Sequence, residues 1–187
     1  MSLKPDPVPE FSRPIPRERL GGQILVEEVS ATPQERAALA RRFRLLGLDL
    51  LHATARIELD DGPDRKEGAG LLRLSGHLIA EVSQACVVTM EPVASRIEAD
   101  YTLLYSLAPG PAMASQDDSE VVIDPEAEEP PEPLGPAGLD LGEAVAQQLA
   151  VALDPYPRAP GAVLEAPGLA EGPQGAFAVL EALRRGE

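Results

Sequence analysis

Three successive stretches of this chain alternate apolar and polar side chains with a period of two, and no other feature limits the possible folds as strongly. In the first, Leu51, Ala53, Ala55, Ile57 and Leu59 alternate with His52, Thr54, Arg56 and Glu58. The second sets Leu72, Leu74, Gly76, Leu78, Ala80 and Val82 against Arg73, Ser75, His77, Glu81 and Ser83, and the third puts Ile97, Ala99, Tyr101, Leu103 and Tyr105 on one side. Side chains of a strand point alternately to its two faces, so each run has one face to bury and one to leave in water. The first two are separated by Asp60-Asp61-Gly62-Pro63-Asp64 and the last two by Glu91-Pro92, both turn or breaker sequences. Consecutive half-buried strands imply an antiparallel sheet, with curling towards a barrel as one form of it.

Two helices are expected to cover that sheet. Thr32, Pro33 and Glu35 form a capping-box start, with proline at the first helical position. Leu39, Phe43 and Leu46 then share a face and Gly47 suits the residue just past the end, giving a helix over 33–46. The second helix, 140–153, opens with Asp140 and Glu143 at the same spacing. Its stripe is Leu141, Val145, Leu149 and Ala152, and Pro155 stops it. A short strand from Ile24 to Val29 precedes the first helix, and a short helix from Phe177 to Arg184 closes the chain. The fold class is therefore α+β.

The remaining segments differ in kind. Residues 1–22 hold five prolines between Pro5 and Pro16 and read as an extended arm; 23–107 carry the sheet and first helix. Residues 108–136 read as an acidic, mobile insertion, dominated by Ser, Pro, Gly and eight acids with only Val121-Val122-Ile123 apolar together. Residues 137–158 complete the core, and 159–187 form a loop and the last helix.

Composition narrows function. The net charge is −15, and residues 97–157 contain thirteen acids and no Lys or Arg. Nucleic-acid binding needs cations to displace phosphate counterions, so the chain as a whole is poorly suited to it. A single cysteine, Cys86, forms no intramolecular disulfide. No apolar run approaches the roughly 20 residues that span a bilayer, and the N-terminus lacks the pattern of a signal peptide, so the expected location is cytoplasmic with no membrane partner.

Candidate chemistry is sparse. His52 and His77 fall at outward strand positions, and two His with one Cys lack the paired spacing of a zinc site. No nucleophile elbow, phosphate loop or calcium loop is present. The expectation is a non-enzymatic protein without cofactor or metal. Cys86 reads either as a small buried hydrophobe or as a reactive or ligating thiol; no basic neighbour in sequence would lower its pKa.

The segment Gln84-x-Cys86-Val87-Val88-Thr89-x-Glu91-Pro92-Val93 resembles the signature of the YceD-like family, the large ribosomal RNA subunit accumulation proteins, in its alphaproteobacterial form. Phe11-Ser12-Arg13, the helix from Ala31 to Phe43, Asp140-Leu141-Gly142-Glu143, and Asp154-Pro155-Tyr156-Pro157-Arg158 extend the likeness. The resemblance implies a role in producing or stabilising large-subunit ribosomal RNA. Many relatives have a second cysteine three residues after the first, in Cys-x-Arg-Cys. Here Val88 and Thr89 occupy those positions, so no metal function carries over.

Two binding modes suit this reading. In the first, the acids, with Asp117, Asp118, Glu126, Glu128 and Glu129 as candidates, hold a basic ribosomal protein or precursor particle. In the alternative, Arg36, Arg41, Arg42 and Arg44 form a helix face that contacts ribosomal RNA directly. Arg36 and Arg42 flank the apolar stripe; Arg41 and Arg44 point away from it.

Overall fold

The computed structural model describes residues 9–60, 70–107 and 131–163. In chain order these form β1 (Pro14–Ile15), a 3-10 turn (Arg17–Arg19), β2 (Leu25–Ser30), α1 (Pro33–Arg42), β3 (Gly47–Leu59), β4 (Leu71–Ala85), β5 (Pro92–Ser106), β6 (Glu132–Pro133), β7 (Leu139–Asp140) and α2 (Leu141–Ala152). The expected C-terminal helix, the Val121–Ile123 cluster and the candidate acids at 117–129 lie outside the described residues.

The three alternating runs become β3, β4 and β5, the long strands at the centre of a five-stranded sheet ordered β2-β3-β4-β5-β6. All neighbours are antiparallel except β5 and β6, which run parallel. Register places Leu51 beside Ala80, Ala53 beside Leu78 and Ile57 beside Leu74, so the apolar sides coincide. The α+β class holds, but the sheet is open and the barrel expectation is corrected. Its inner face is sealed by α1, α2 and the N-terminal segment instead of by strand closure. Leu39, Phe11, Leu141, Val145 and Leu149 join the strand residues in one buried cluster.

The arm is a working part of that core. Phe11 is fully buried, Ile15 and Leu20 are buried beside it, and β1 pairs with β7. Contact between arm and α2 is so close that a Cβ at Gly142 would overlap the Phe11 carbonyl oxygen. Gly138, at φ +102, turns the chain into β7 where a side chain would overlap the Ile15 carbonyl oxygen.

Polar bonds fasten the same end. Arg13 donates to both oxygens of Glu35, at 2.7 and 3.0 Å, and to the Ser30 carbonyl, joining arm, α1 and β2. Glu35 also accepts from the Thr32 N–H, completing the expected capping box. The Arg13 hydrogen bonds, reinforced by those from Thr32 and opposed by burial, hold the Glu35 carboxyl down at about 2. Asp140 caps α2 by accepting from the Gly142 and Glu143 N–H groups, and it also binds the Arg13 N–H. The reciprocal half of the second capping box does not form: the Glu143 carboxylate turns to Arg42 instead.

α1 is shorter than its pattern suggests. It ends at Arg42, with Phe43 as cap and Arg44 in the left-handed region at φ +56. The Leu45 N–H reaches the Ala40 carbonyl at 2.8 Å and the Arg44 N–H reaches that of Arg41 at 3.3 Å, which is a Schellman end. Arg44, not Gly47, therefore ends the helix. Gly47 opens β3, and Leu46 leaves the helix stripe to stand 56% exposed. The segment expected to be mobile also has an ordered tail: Glu132–Pro133 pair with β5, and Leu134 is buried. Among the described residues no helix is long and apolar enough to cross a membrane.

Candidate functional site

β4 and β5 are the longest strands, and a tight turn connects them. Ala85 pairs with Pro92, and the six residues between them close the hairpin. The Cys86 N–H donates to the Glu91 carbonyl at 2.8 Å, and the Met90 N–H to the Cys86 carbonyl at 2.9 Å. Closing this way puts Met90 at φ +63, an unfavourable conformation for a residue with a Cβ.

The chain following α2 is stitched along this turn. Gln84 Nε2 donates to the Asp154 carbonyl at 2.9 Å, and the Val87 N–H donates to that of Pro157 at 2.9 Å. Asp154 Oδ1 in turn accepts from the Tyr156 N–H at 2.8 Å. The two blocks 84–92 and 154–158, distant in sequence, thus form one surface.

Cys86 is the hub beneath it. Its side chain is fully buried, and Sγ accepts from the N–H groups of Val88 and Thr89 at 3.4 Å each and of Ala159 at 3.3 Å. The Thr89 hydroxyl, followed by the Ala159 and Thr89 N–H groups, stabilises the thiolate against the opposing effect of burial and brings the pKa down to about 6. No Lys, Arg or His lies near Cys86 in sequence. Besides the Thr89 hydroxyl, the donors are backbone N–H groups, and one of them comes from beyond α2. Burial fits the first reading of Cys86, and its acidity goes beyond it.

Above the buried sulfur the surface is apolar: Val87 is 47% exposed, Met90 73% and Tyr156 71%. Pro157 is buried, while Glu91, Asp154, Pro155 and Arg158 are exposed. The Thr89 hydroxyl also lies 3.2 Å from a Glu91 carboxylate oxygen, so its one proton serves either that oxygen or the Cys86 sulfur. Pro92 begins β5, where its missing N–H matters least.

The four candidate arginines separate into two pairs. Arg36 donates to the Ala31 carbonyl at 2.8 Å. Arg42 grips both Glu143 oxygens, at 2.8 and 2.7 Å, and Glu10 at 3.0 Å, tying α1 to α2. The hydrogen bond from Arg42 is the largest influence lowering the Glu143 pKa. Arg41 and Arg44 are exposed, and their side chains have no partner among the described residues. His52 and His77 lie on the solvated face of the sheet, beside Ser30 and Glu28 and beside Asp100 respectively. Among the described residues no group of three or more His, Cys, Asp or Glu is arranged to hold a metal ion.

Sequence reasoning located both blocks through their resemblance to family motifs but did not foresee that they meet, nor the Arg13–Glu35 and Arg42–Glu143 bridges. Pairings between residues so far apart leave no local periodicity to read. A family model described as "Large ribosomal RNA subunit accumulation protein YceD" matches residues 74–183, a span that takes in both blocks and begins after α1. No curated protein and no solved structure matches the chain.

Proposed function

The chain belongs to the YceD family, named for large ribosomal RNA subunit accumulation, and from that premise we propose that it acts without catalysis, by binding a basic ribosomal protein or precursor particle during large-subunit formation. The observation that carries this reading is the surface over Cys86. Its exposed side chains are apolar and acidic apart from Arg158, Cys86 is sealed beneath them, and both contributing blocks lie within the matched span. Such a surface suits protein contact better than phosphate contact. Charge agrees, since complementary potentials speed encounter with a cationic partner and the chain carries −15.

Arg41 and Arg44 are the groups on which direct RNA binding would rest, because Arg36 and Arg42 are occupied within the fold. The test is titration of the purified chain against individual large-subunit ribosomal proteins and against fragments of the ribosomal RNA, across a salt series. Neutralising Asp117, Asp118, Glu126, Glu128 and Glu129 together is expected to weaken the protein partner and its salt dependence. Arg41→Gln with Arg44→Gln should leave that binding unchanged, and this pair spares the Arg42 bridge. RNA binding whose salt slope falls by roughly 0.7 to 0.9 per arginine removed, with the acidic changes silent, overturns the proposal.

A further inference from the structure

The two joined blocks carry charge as well as apolar surface, and the charge has a direction. α2 ends at Ala152 without a Lys or Arg in its last turn, so the partial negative charge of its final carbonyls is left unneutralised by its own side chains. Asp154 follows one residue past the Leu153 cap, exposed, with Oδ1 engaged by the Tyr156 N–H and no partner for Oδ2 among the described residues. Glu91 stands exposed on the other block. Across both blocks the one cation is Arg158. Negative charge therefore borders Val87, Met90 and Tyr156, three large side chains that water contacts at 47, 73 and 71% of their surface.

A cation arriving here would find the end of α2, Asp154 and the exposed Tyr156 ring close along the chain, from Ala152 to Tyr156. Aromatic faces attract cations, most strongly when both are partly desolvated. The backbone at Met90 adds an independent point. The turn keeps this side chain in solvent at φ +63, where glycine would be less strained. Strain of this kind persists where the surrounding structure enforces it and commonly marks sites of recognition.

We propose that the surface of Val87, Met90 and Tyr156 beside the C-terminal end of α2 docks a polypeptide segment bearing a Lys or Arg next to an aliphatic side chain. The aliphatic group covers Val87 and Met90, while the cation sits between Asp154, the helix end and the Tyr156 ring. Single-stranded RNA fits less well. Tyr156 offers one stacking face, but the phosphates on either side would confront Asp154, Glu91 and the negative helix end. The inference rests on the proposed basic protein partner and adds where, and through which groups, that partner is held.

The test uses the full-length chain, labelled with nitrogen-15, and four probes: short synthetic peptides alternating Lys with Leu, Glu with Leu, and Lys with Ser, and a short oligouridine. The Lys–Leu peptide is expected to shift the amides of Val87, Thr89, Met90 and Tyr156, while the other three leave them in place. Tyr156→Ala and Asp154→Asn should each weaken that peptide about tenfold, as central interface contacts do. Both residues are exposed, so the melting temperature should hold, and Asn retains an acceptor for the Tyr156 N–H. Oligouridine moving these amides, or the Lys–Ser peptide binding as well as Lys–Leu, overturns the inference. If the Lys–Leu peptide binds elsewhere and is lost on neutralising the 117–129 acids, this surface fails while the basic-partner reading stands. If no peptide binds but ribosomal RNA fragments do, both fail.

Discussion

The two ends of this molecule use polar chemistry in opposite ways. At the end built from the arm, α1 and the start of α2, charged groups are spent on assembly. Arg13 meets Glu35, Arg42 meets Glu143 and Glu10, and Asp140 caps α2 while holding the arm. At the other end the turn around Cys86 is held by backbone hydrogen bonds, leaving Glu91, Asp154 and large apolar side chains in water. The contrast separates polar groups committed to the fold from groups left in water. Side chains committed to one another are unavailable to a partner, whereas at the turn the fastening falls mostly to main-chain groups, Gln84 and the Cys86 sulfur, and Val87, Met90 and Tyr156 stay exposed.

The largest expected effect lies at the clamped end. Gly142→Ala forces a methyl group against the Phe11 carbonyl and displaces the arm from α2. A loss of about 3 kcal/mol or more is expected, at the upper end of overpacking effects, read from the urea midpoint. A shift below about 0.5 kcal/mol, as at an ordinary surface site, would mean that the arm is not seated as described.

Next comes the ionic lock. Arg42→Ala strips Glu143 and Glu10 of their shared partner and is expected to cost roughly 1 to 2 kcal/mol at neutral pH, discounted for partial exposure. Acid should act on the same end. Glu35 falls from its usual 4.5 to about 2 in the folded chain, and Glu143 is lowered as well. A depressed folded pKa gives stability that is complete above the unfolded value and disappears as pH falls through the folded one. Stability should thus decline from about pH 4.5 towards 2, and Arg42→Ala should remove the Glu143 share of that decline. A pH-independent melting temperature across this window would break the comparison.

At the other end the expected sign reverses. Met90→Gly relieves a left-handed residue at the cost of added freedom in the unfolded chain, so a gain of up to about 1 kcal/mol is expected. A destabilised variant would show that the Met90 side chain supports the fold, contrary to its exposure. The smallest effect is expected at Tyr101. Its hydroxyl is buried without a hydrogen-bond partner among the described residues, and its pKa is pushed up to about 12 by that burial. Tyr101→Phe should be neutral or stabilising by about 0.5 kcal/mol, since an unpaired buried hydroxyl is lost with little change of shape. A loss above 1 kcal/mol in thermal or urea unfolding would reveal a partner for that hydroxyl.

Much of this fold was legible because its signals are local. Period-two alternation places Leu51, Ala53, Ala55 and Ile57 on the buried face of β3 without knowledge of any neighbour. Thr32, Pro33 and Glu35 start α1 from within a single turn. Where local signals competed, the sequence misled. Gly47 looked like the helix end, but the Schellman turn at Arg44 came first and sent Leu46 out of the helix stripe. Glu143 had capping-box spacing, yet a guanidinium from α1 offered two charge-assisted bonds in place of one to an N–H.

What the sequence determined by itself is the α+β class, the faces of the long strands, the starts of both helices and, by likeness of motif, the family and the two blocks that carry it. Whether the sheet closed, where the arm went, and which arginines were left free were decided only by tertiary structure. So were the meeting of 84–92 with 154–158 and the share of the Cys86 acidity that comes from Ala159. Each depends on groups tens of residues apart arriving within hydrogen-bonding distance, as Gln84 and Asp154 do across 70 residues. Local propensity follows from each residue's own backbone and near neighbours, so it can be read along the chain. The position of Ala159's N–H over a distant sulfur follows from the packing of α2 on the sheet, and no local pattern encodes it.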